Sequence, residues 1–277
     1  MADIAMTLSI SEIQRLLETA AIAPKKSLGQ NFVIDPNTVR KIARLAEVGE
    51  GSRVLEIGAG LGSLTLALAE TGAEVTAIET DRALIPLLKQ TVGEKATIIE
   101  ADARELAWSD VVPTSDWNLV ANLPYNIGTS LVLTVLDEVP NINRLLVMVQ
   151  QEAGERIVAS VGDPAYGAVS VRVALRGNAT IVGHVPPSVF FPRPRVNSVL
   201  VAIERAPNTI DTSVENELIE LLRIAFTHRR KMLRKSLKGH VEQGTLERAK
   251  IAPTSRPEEL DLNQWLALAQ LSSVIEP

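Results

Sequence analysis

The chain has 277 residues, 46% hydrophobic and 22% charged, which is material for one large domain or a domain with a smaller appendage and too apolar for a disordered or fibrous chain. It has no cysteine and three histidines, His184, His228 and His240, so disulfides, thiol catalysis and thiolate zinc sites are excluded and no metal site is expected. The formal net charge is −5, yet seven of the 28 basic residues and no acid lie between Arg223 and His240, leaving 21 basic against 33 acidic residues elsewhere; such a patch suits phosphates while the acidic remainder limits indiscriminate polyanion binding.

In chain order, residues 1–24 come first as an N-terminal extension. Glu12, Arg15 and Glu18 interrupt Ile13, Leu16 and Leu17 at helical spacing, unlike an export signal, and the extension is either an ordering helix or a disordered arm. No uncharged apolar run reaches ~18 residues, so no membrane span is expected, and a cytoplasmic location is. A polar turn, Lys25-Lys26-Ser27-Leu28-Gly29-Gln30-Asn31-Phe32-Val33, precedes a helix start at Asp35 and Pro36, which have the character of an N-cap and a first-turn proline. From Arg53 to about Arg205, short Val- and Ile-rich runs alternate with helical patterns, the mark of an α/β fold with a mostly parallel sheet. Strands are expected at Arg53–Ala59, Glu74–Thr80, Ala96–Ala101, Trp117–Leu123, Arg144–Gln150, Ala179–Val185 and Ser198–Glu204, with a helix over Ser63–Thr71 stopped by Gly72. The last two strands are separated only by Pro186–Asn197, which has four prolines and no room for a helix, so they are expected to close the sheet as an antiparallel hairpin. Ala206–Thr212 reads as a linker, and everything after it is helical in pattern. The expected division is an α/β domain over 25–206 and a small all-α domain over 207–277.

The first strand runs into Glu56-Ile57-Gly58-Ala59-Gly60-Leu61-Gly62, where Gly58, Gly60 and Gly62 let the backbone turn tightly and approach a ligand. Gly62 lies only two residues beyond Gly60, so the pyrophosphate-binding dinucleotide fingerprint is matched poorly. Glu79 ends the next strand, where a carboxylate can accept from both ribose hydroxyls of an adenosine-containing cofactor. Asp102 closes the third strand and is either an acceptor for an adenine amine or a helix N-cap. The fourth strand ends in Asn122-Leu123-Pro124-Tyr125 at the carboxyl edge of the sheet, where open α/β folds bind ligands. The Asn122 amide oxygen and a nearby backbone carbonyl fixed by Pro124 can both accept from an NH₂ group, and Tyr125 offers a flat face; the alternative is an ordinary strand-to-loop turn. Two acceptors holding the hydrogens of a planar amine out of plane localise its lone pair toward an electrophile, without a charged base. The loop Pro186–Val196 carries Phe190 and Phe191 followed by Arg193 and Arg195, so an aromatic opposite Tyr125 could sandwich an extruded base while the arginines meet phosphates; one phenylalanine is expected to anchor the loop instead. Gln30 and Asn31 are placed to cover the cofactor, and Lys25 and Lys26 to touch RNA. Farther on, Arg230, Arg234 and Lys238 are spaced by four, as are Lys231 and Lys235, which predicts basic ridges on one helix whose Leu222, Phe226, Leu233 and Leu237 face inward.

This ordered set, Leu28-Gly29-Gln30-Asn31-Phe32, Glu56 to Gly62, Glu79, Asp102, Asn122 to Ile127, Tyr166-Gly167, Pro186 to Phe190 and Phe226-x-x-Arg229-Arg230-Lys231, closely resembles the bacterial small-subunit ribosomal RNA adenine-N6,N6-dimethyltransferases over about Lys25 to Leu237. The resemblance implies a Rossmann-like class I methyltransferase domain, S-adenosylmethionine as methyl donor, and dimethylation of two adjacent adenosines in the loop of the 3′-terminal hairpin of small-subunit rRNA. It implies the small ribosomal subunit as partner, a role in its biogenesis, and a chain acting as a monomer. Positions matching Asn31, Val33, Gly58, Glu79, Asp102 and Asn122 bind the cofactor in that family, and those matching Tyr125 and Phe190 flank the target base. Arg229, Arg230, Lys231, Arg234 and Lys235 are the expected RNA-binding residues of the helical domain. Ala59 stands where the family commonly has proline, Val33 where leucine is usual and Gly128 where serine is frequent; none of these removes a chemical group. A ribosome-assembly protein in which methylation is secondary is a compatible alternative. Large-subunit rRNA dimethylation is the nearest rival among enzymes, and the Phe226 to Lys231 block favours the small subunit.

Overall fold

The computed structural model describes residues 7–114, 116–207, 209–242 and 244–273. The chain divides into two compact units, one comprising the residues up to Gly154 together with Ala179–Arg205, the other Glu155–Asn178 together with the residues from Ala206 onward.

The first unit opens with helix α1 (Ile10–Thr19), started by a reciprocal cap: the Ser9 hydroxyl accepts from the Glu12 N–H and the Glu12 carboxylate accepts from the Ser9 N–H. Its Ile13 and Leu17 are buried in a cluster with Phe32, Leu61, Leu84 and Leu87, so the described part of the extension holds a helix seated on the body of the unit, while residues 1–6 lie outside the described residues. Next come β1 (Phe32–Val33), α2 (Pro36–Ala46), β2 (Arg53–Ile57), α3 (Ser63–Ala69), β3 (Glu74–Glu79), α4 (Ile85–Val92), β4 (Ala96–Glu100), the short α5 (Trp108–Val111), β5 (Trp117–Asn122), α6 (Gly128–Glu138) and β6 (Ile142–Gln150). The expected Asp35 cap of α2 is present, its carboxylate accepting from the Asn37 and Thr38 N–H groups. After α7 (Gln151–Val158) and α8 (Ala168–Arg176) the sheet is completed by β7 (Gly177–Val185) and β9 (Ser198–Arg205), with β8 (Phe190–Phe191) between them.

The seven-stranded sheet has the order β4-β3-β2-β5-β6-β9-β7. Strands β2 to β6 pair in parallel and β9 runs antiparallel to β6, the expected α/β arrangement. From β2 the chain builds outward through β3 and β4, then returns to the other side with β5, so the carboxyl ends of β2 and β5 flank the crevice where open α/β sheets bind ligands. Strand β2 stops at Ile57, two residues short of the expected Ala59, because Gly58 has φ +77° and turns the chain out of the sheet. The inward stripes of α2 (Val39, Ile42, Ala43, Ala46) and α3 (Leu64, Ala67, Leu68) pack with Val54, Val120, Leu146, Met148 and Leu200 of the sheet.

The second unit adds α9 (Thr212–Thr227), α10 (Leu233–Ser236), α11 (Thr245–Arg248) and α12 (Leu262–Ser273). Residues 155–178, which sequence division leaves with the α/β domain, cluster here: Tyr166, Val171 and Leu175 share a core with Leu218, Leu221 and Trp265, and the Tyr166 hydroxyl donates to the Leu260 carbonyl at 2.7 Å. The apolar stripe of α8, with an Arg176–Glu215 ion pair at its end, decides that membership. No helix among the described residues is long and apolar enough to cross a membrane.

A second, two-stranded sheet has no counterpart in the sequence reading: β1 pairs antiparallel with β8, Phe32 opposite Phe191 and Val33 opposite Phe190, and the Ile34 N–H donates to the Val189 carbonyl at 2.8 Å. This pairing turns Phe190 inward, 2% exposed beside Val33, Val185 and Leu200, and leaves Phe191 half-buried. Phe190→Ala therefore lowers folding stability by about 3–5 kcal/mol, the cost of a large core truncation; urea unfolding measures it, and a loss under about 1 kcal/mol would show that the ring is not a core element.

Candidate active site

At the diverging carboxyl ends of β2 and β5, four segments enclose a solvent-open cleft of about 740 Å³: residues 28–33, the loop 58–61 with the start of α3, Glu79-Thr80, and Asn122-Leu123-Pro124-Tyr125. Of the expected cofactor residues, Gln30, Asn31, Val33, Gly58, Gly60, Glu79 and Asn122 line it, and of the expected catalytic residues Asn122, Leu123, Pro124 and Tyr125 do. Gly62 and Asp102 are not among its lining residues. Gly62 sits where a Cβ would lie 2.7 Å from the Val92 side chain, so its place is set by the packing of α3 on α4. The Asp102 carboxylate is taken by Arg104, whose Nη2 lies 2.6 Å away and whose backbone N–H donates at 2.9 Å; the Arg104 guanidinium holds its pKa below the usual carboxylate value.

Three acids converge on one corner. The Glu79 carboxylate, 5% exposed, accepts from the Gly60 N–H at 2.7 Å and the Asp81 N–H at 2.8 Å. Burial pushes its pKa up against the pull of those donors. Asp81, 3% exposed, accepts the Lys25 ammonium at 2.7 Å and the Gln30 side-chain amide at 2.8 Å. Burial alone would raise its pKa, but the hydrogen bonds from Lys25, Gln30 and the Ala83 N–H together hold it below the usual value. Lys25 is thus an ion-pair partner of the cleft wall rather than a free RNA contact; the side chain of Lys26 lies outside what the structure describes. Glu56, also on the cleft, is 1% exposed and its Oε2 has no hydrogen-bond partner. Sequence reading missed Glu56 and Asp81 as members of this corner. The available signals were an acid inside the apolar run of β2 from Val54 to Ile57 and a second acid two residues beyond Glu79.

On the opposite wall, the Asn122 Nδ2 donates to the Asn31 carbonyl at 3.0 Å, which leaves Oδ1 as the free, accepting end of the amide. The Tyr125 hydroxyl is 2.7 Å from Ser198 Oγ, so the ring is fixed at its tip and half-buried along its body. Phe190, the expected partner of Tyr125 across a base, is in the core as described above. Arg193 and Arg195 lie on the loop before β9, both exposed.

The helical unit carries a separate basic groove of about 700 Å³ lined by Arg223, His228, Lys231, Lys235, Lys238 and His240. The expected continuous basic helix is not formed. Helix α9 ends at Thr227, because the polar run from His228 to Lys231 interrupts the inward apolar stripe between Phe226 and Leu233, and α10 begins only at Leu233. Lys231 and Lys235 are brought together in the groove. Arg229 is drawn off to Glu258 at 2.5 Å and the Pro164 carbonyl at 3.0 Å, while Arg230 and Arg234 stay outside the lining. Among the described residues no group of three histidines or carboxylates could hold a metal ion.

Residues 22–273 match the family described as Ribosomal RNA adenine dimethylase. A Ribosomal RNA small subunit methyltransferase A from Corynebacterium glutamicum (strain R) is 42% identical over 274 residues, covering 93% of this chain and 92% of the relative. A protein of the same name from Bifidobacterium longum (strain DJO10A) is 41% identical over 284 residues, covering 95% and 92%. Among solved structures, a dimethyladenosine transferase from Plasmodium falciparum superposes with a TM-score of 0.70 at 27% identity, over 84% of this chain and 94% of that one. The 23S rRNA methyltransferase ErmE shares the fold, with a TM-score of 0.68 at 23% identity over 87% and 98%.

Burial of Glu56 makes folding pH-dependent. Its pKa is raised from 4.5 to about 8 by desolvation, so the native state keeps a proton that the unfolded chain releases. Stability from this group is complete below about pH 4.5 and is lost as pH rises through about 8, at a cost of up to roughly 5 kcal/mol. Glu56→Gln flattens that part of the stability-pH curve of the ligand-free protein in urea titrations; equal slopes for the two proteins would place the charge elsewhere.

Proposed function

The chain belongs to the ribosomal RNA adenine dimethylase family, and on that premise we propose that it transfers methyl groups from S-adenosylmethionine to N6 of two adjacent adenosines in the 3′-terminal hairpin loop of small-subunit rRNA. The proposal includes a role in small-subunit biogenesis, the small ribosomal subunit as partner, and action as a monomer in the cytoplasm.

The cleft suits the donor. Glu79 offers carboxylate oxygens at the end of β3 where ribose hydroxyls would donate to them, Gly58 and Gly60 let the backbone come close, and the unpartnered Glu56 Oε2 provides a further buried acceptor. When bound, S-adenosylmethionine supplies a methyl group made electrophilic by its sulfonium. The residues of this chain have then to present a weakly nucleophilic amine. The observation that carries the reading is the Asn122 amide: its nitrogen is committed to the Asn31 carbonyl, which leaves its oxygen as the accepting end of a residue that lines the cleft, two residues ahead of the rigid Pro124 and three ahead of the Tyr125 face. An exocyclic amine donating to Asn122 Oδ1 and to a backbone carbonyl of the same turn has its lone pair turned out of the ring plane, so no ionised base is required. Tyr125, pinned by Ser198, serves as the stacking platform that an unstacked base needs. In the helical unit, the groove of Arg223, Lys231, Lys235 and Lys238 supports binding of the phosphate backbone, which positions an RNA without reading its bases.

Asn122→Ala is expected to abolish methyl transfer to small-subunit rRNA while weakening S-adenosylmethionine binding only partly, as read by labelled-methyl incorporation and calorimetry; near-normal turnover would refute the acceptor role. Tyr125→Ala costs about 1–3 kcal/mol in kcat/KM for RNA, the worth of one stacked base. Replacing Lys231 and Lys235 by alanine makes the slope of log Kd against log salt shallower by about 0.7–0.9 for each phosphate no longer neutralised, and an unchanged slope would free the groove of that role.

A further inference from the structure

The wall of the cleft formed by residues 28–33 is held at both ends. On one side, Asp81 receives the Lys25 ammonium on Oδ1 and the Gln30 amide on Oδ2, and the Gln30 side-chain oxygen in turn accepts from the Lys25 backbone N–H at 2.7 Å. On the other side the wall enters the β1–β8 pairing. Between these anchors lies the Asn31 carbonyl, the partner of Asn122, while the Asn31 side chain donates back to the Gly29 carbonyl at 3.0 Å. Gly29 itself is packed so closely on the strand-end turn that a Cβ would lie 3.1 Å from Pro124 and 3.4 Å from the Tyr125 nitrogen.

From this chain of interactions we propose that Lys25, Gln30 and Asp81 are positioning residues for methyl transfer: their ion-paired latch fixes the Asn31 carbonyl, and that carbonyl decides which end of the Asn122 amide faces the substrate, an inference that rests on the acceptor role proposed for Asn122. A primary amide has two nearly isosteric ends on a soft terminal torsion, and without the Asn31 oxygen nothing described on that side distinguishes them. Turned over, Asn122 would present its NH₂ group to an amine that is itself a donor. The latch is suited to hold because Asp81 is 2% exposed at its side chain while Lys25 is 47% exposed: removing the cation strands a buried carboxylate. Asp81 also belongs to the same turn as the ribose-binding corner, since its N–H donates to Glu79, so the latch and the cofactor pocket share one stretch of backbone.

The test uses the full-length protein with small-subunit rRNA particles and S-adenosylmethionine. Lys25→Met and Asp81→Asn are expected to lower kcat by about ten- to a hundredfold, the scale of a misplaced reacting group, with KM for RNA little changed. Lys25→Arg, which keeps the cation, is expected to restore turnover. In ¹⁵N NMR of the ligand-free protein the Asn122 side-chain amide should shift and exchange faster with water in Lys25→Met, a change that general loosening of a surface lysine would not produce. Unchanged kcat in both variants, or lost kcat with an unmoved Asn122 signal, overturns the positioning role. Full activity of Asn122→Ala instead overturns the acceptor reading beneath it, which separates the two failures. Should Asp81→Asn fold poorly, Lys25→Met, altered at a half-exposed side chain, carries the comparison alone.

Discussion

One hydrogen bond, 3.0 Å from the Asn122 amide nitrogen to the Asn31 carbonyl, ties together residues 91 positions apart and settles which atoms the cleft offers to a ligand. It exists only because the sheet order reverses between β2 and β5, which brings the end of β5 against the segment that precedes β1. The chemistry proposed for the site asks for orientation of a neutral carboxamide, so the scaffold's task is geometric: to hold a side chain with two similar ends in one of its two orientations. The β1–β8 ribbon, the close packing of Gly29 on Pro124 and the buried Asp81 all serve that end.

The same corner gathers acidic side chains. Glu56, Glu79 and Asp81 lie within a short stretch of the two strand ends, and Asp81 meets a cation from the chain in Lys25. Glu79 is held by backbone N–H groups and Glu56 by retaining its proton, two ways of lowering the cost of a buried acid without a counter-ion. Such an arrangement is destabilising in the empty protein and becomes favourable when a cationic ligand fills the cleft, as expected of a pocket for a sulfonium. Positive charge gathers in other segments, the groove of the helical unit and the loop with Arg193 and Arg195.

What the amino-acid sequence determined by itself was local or periodic. Alternating Val- and Ile-rich runs defined the strands, the run from Glu56 to Gly62 and the tetrapeptide from Asn122 to Tyr125 fell at carboxyl ends where a parallel sheet gathers ligands, and Asp35 with Pro36 marked a helix start. The parallel character of the sheet and the site's main wall follow from those periods, because helices between the strands require crossover connections, while the strand order came from the structure. Tertiary structure alone decided the rest. Whether Lys25 faces RNA or Asp81, whether Phe190 faces a base or Val185 and Leu200, and whether residues 155–178 side with the sheet or with the helices depends on which distant partner competes best for each group. No spacing along the chain encodes that competition: a lysine near a cleft and an aromatic on a proline-rich loop look alike in sequence whether they are exposed or engaged, and only the burial of Asp81 and the pairing of β1 with β8 distinguish the two states.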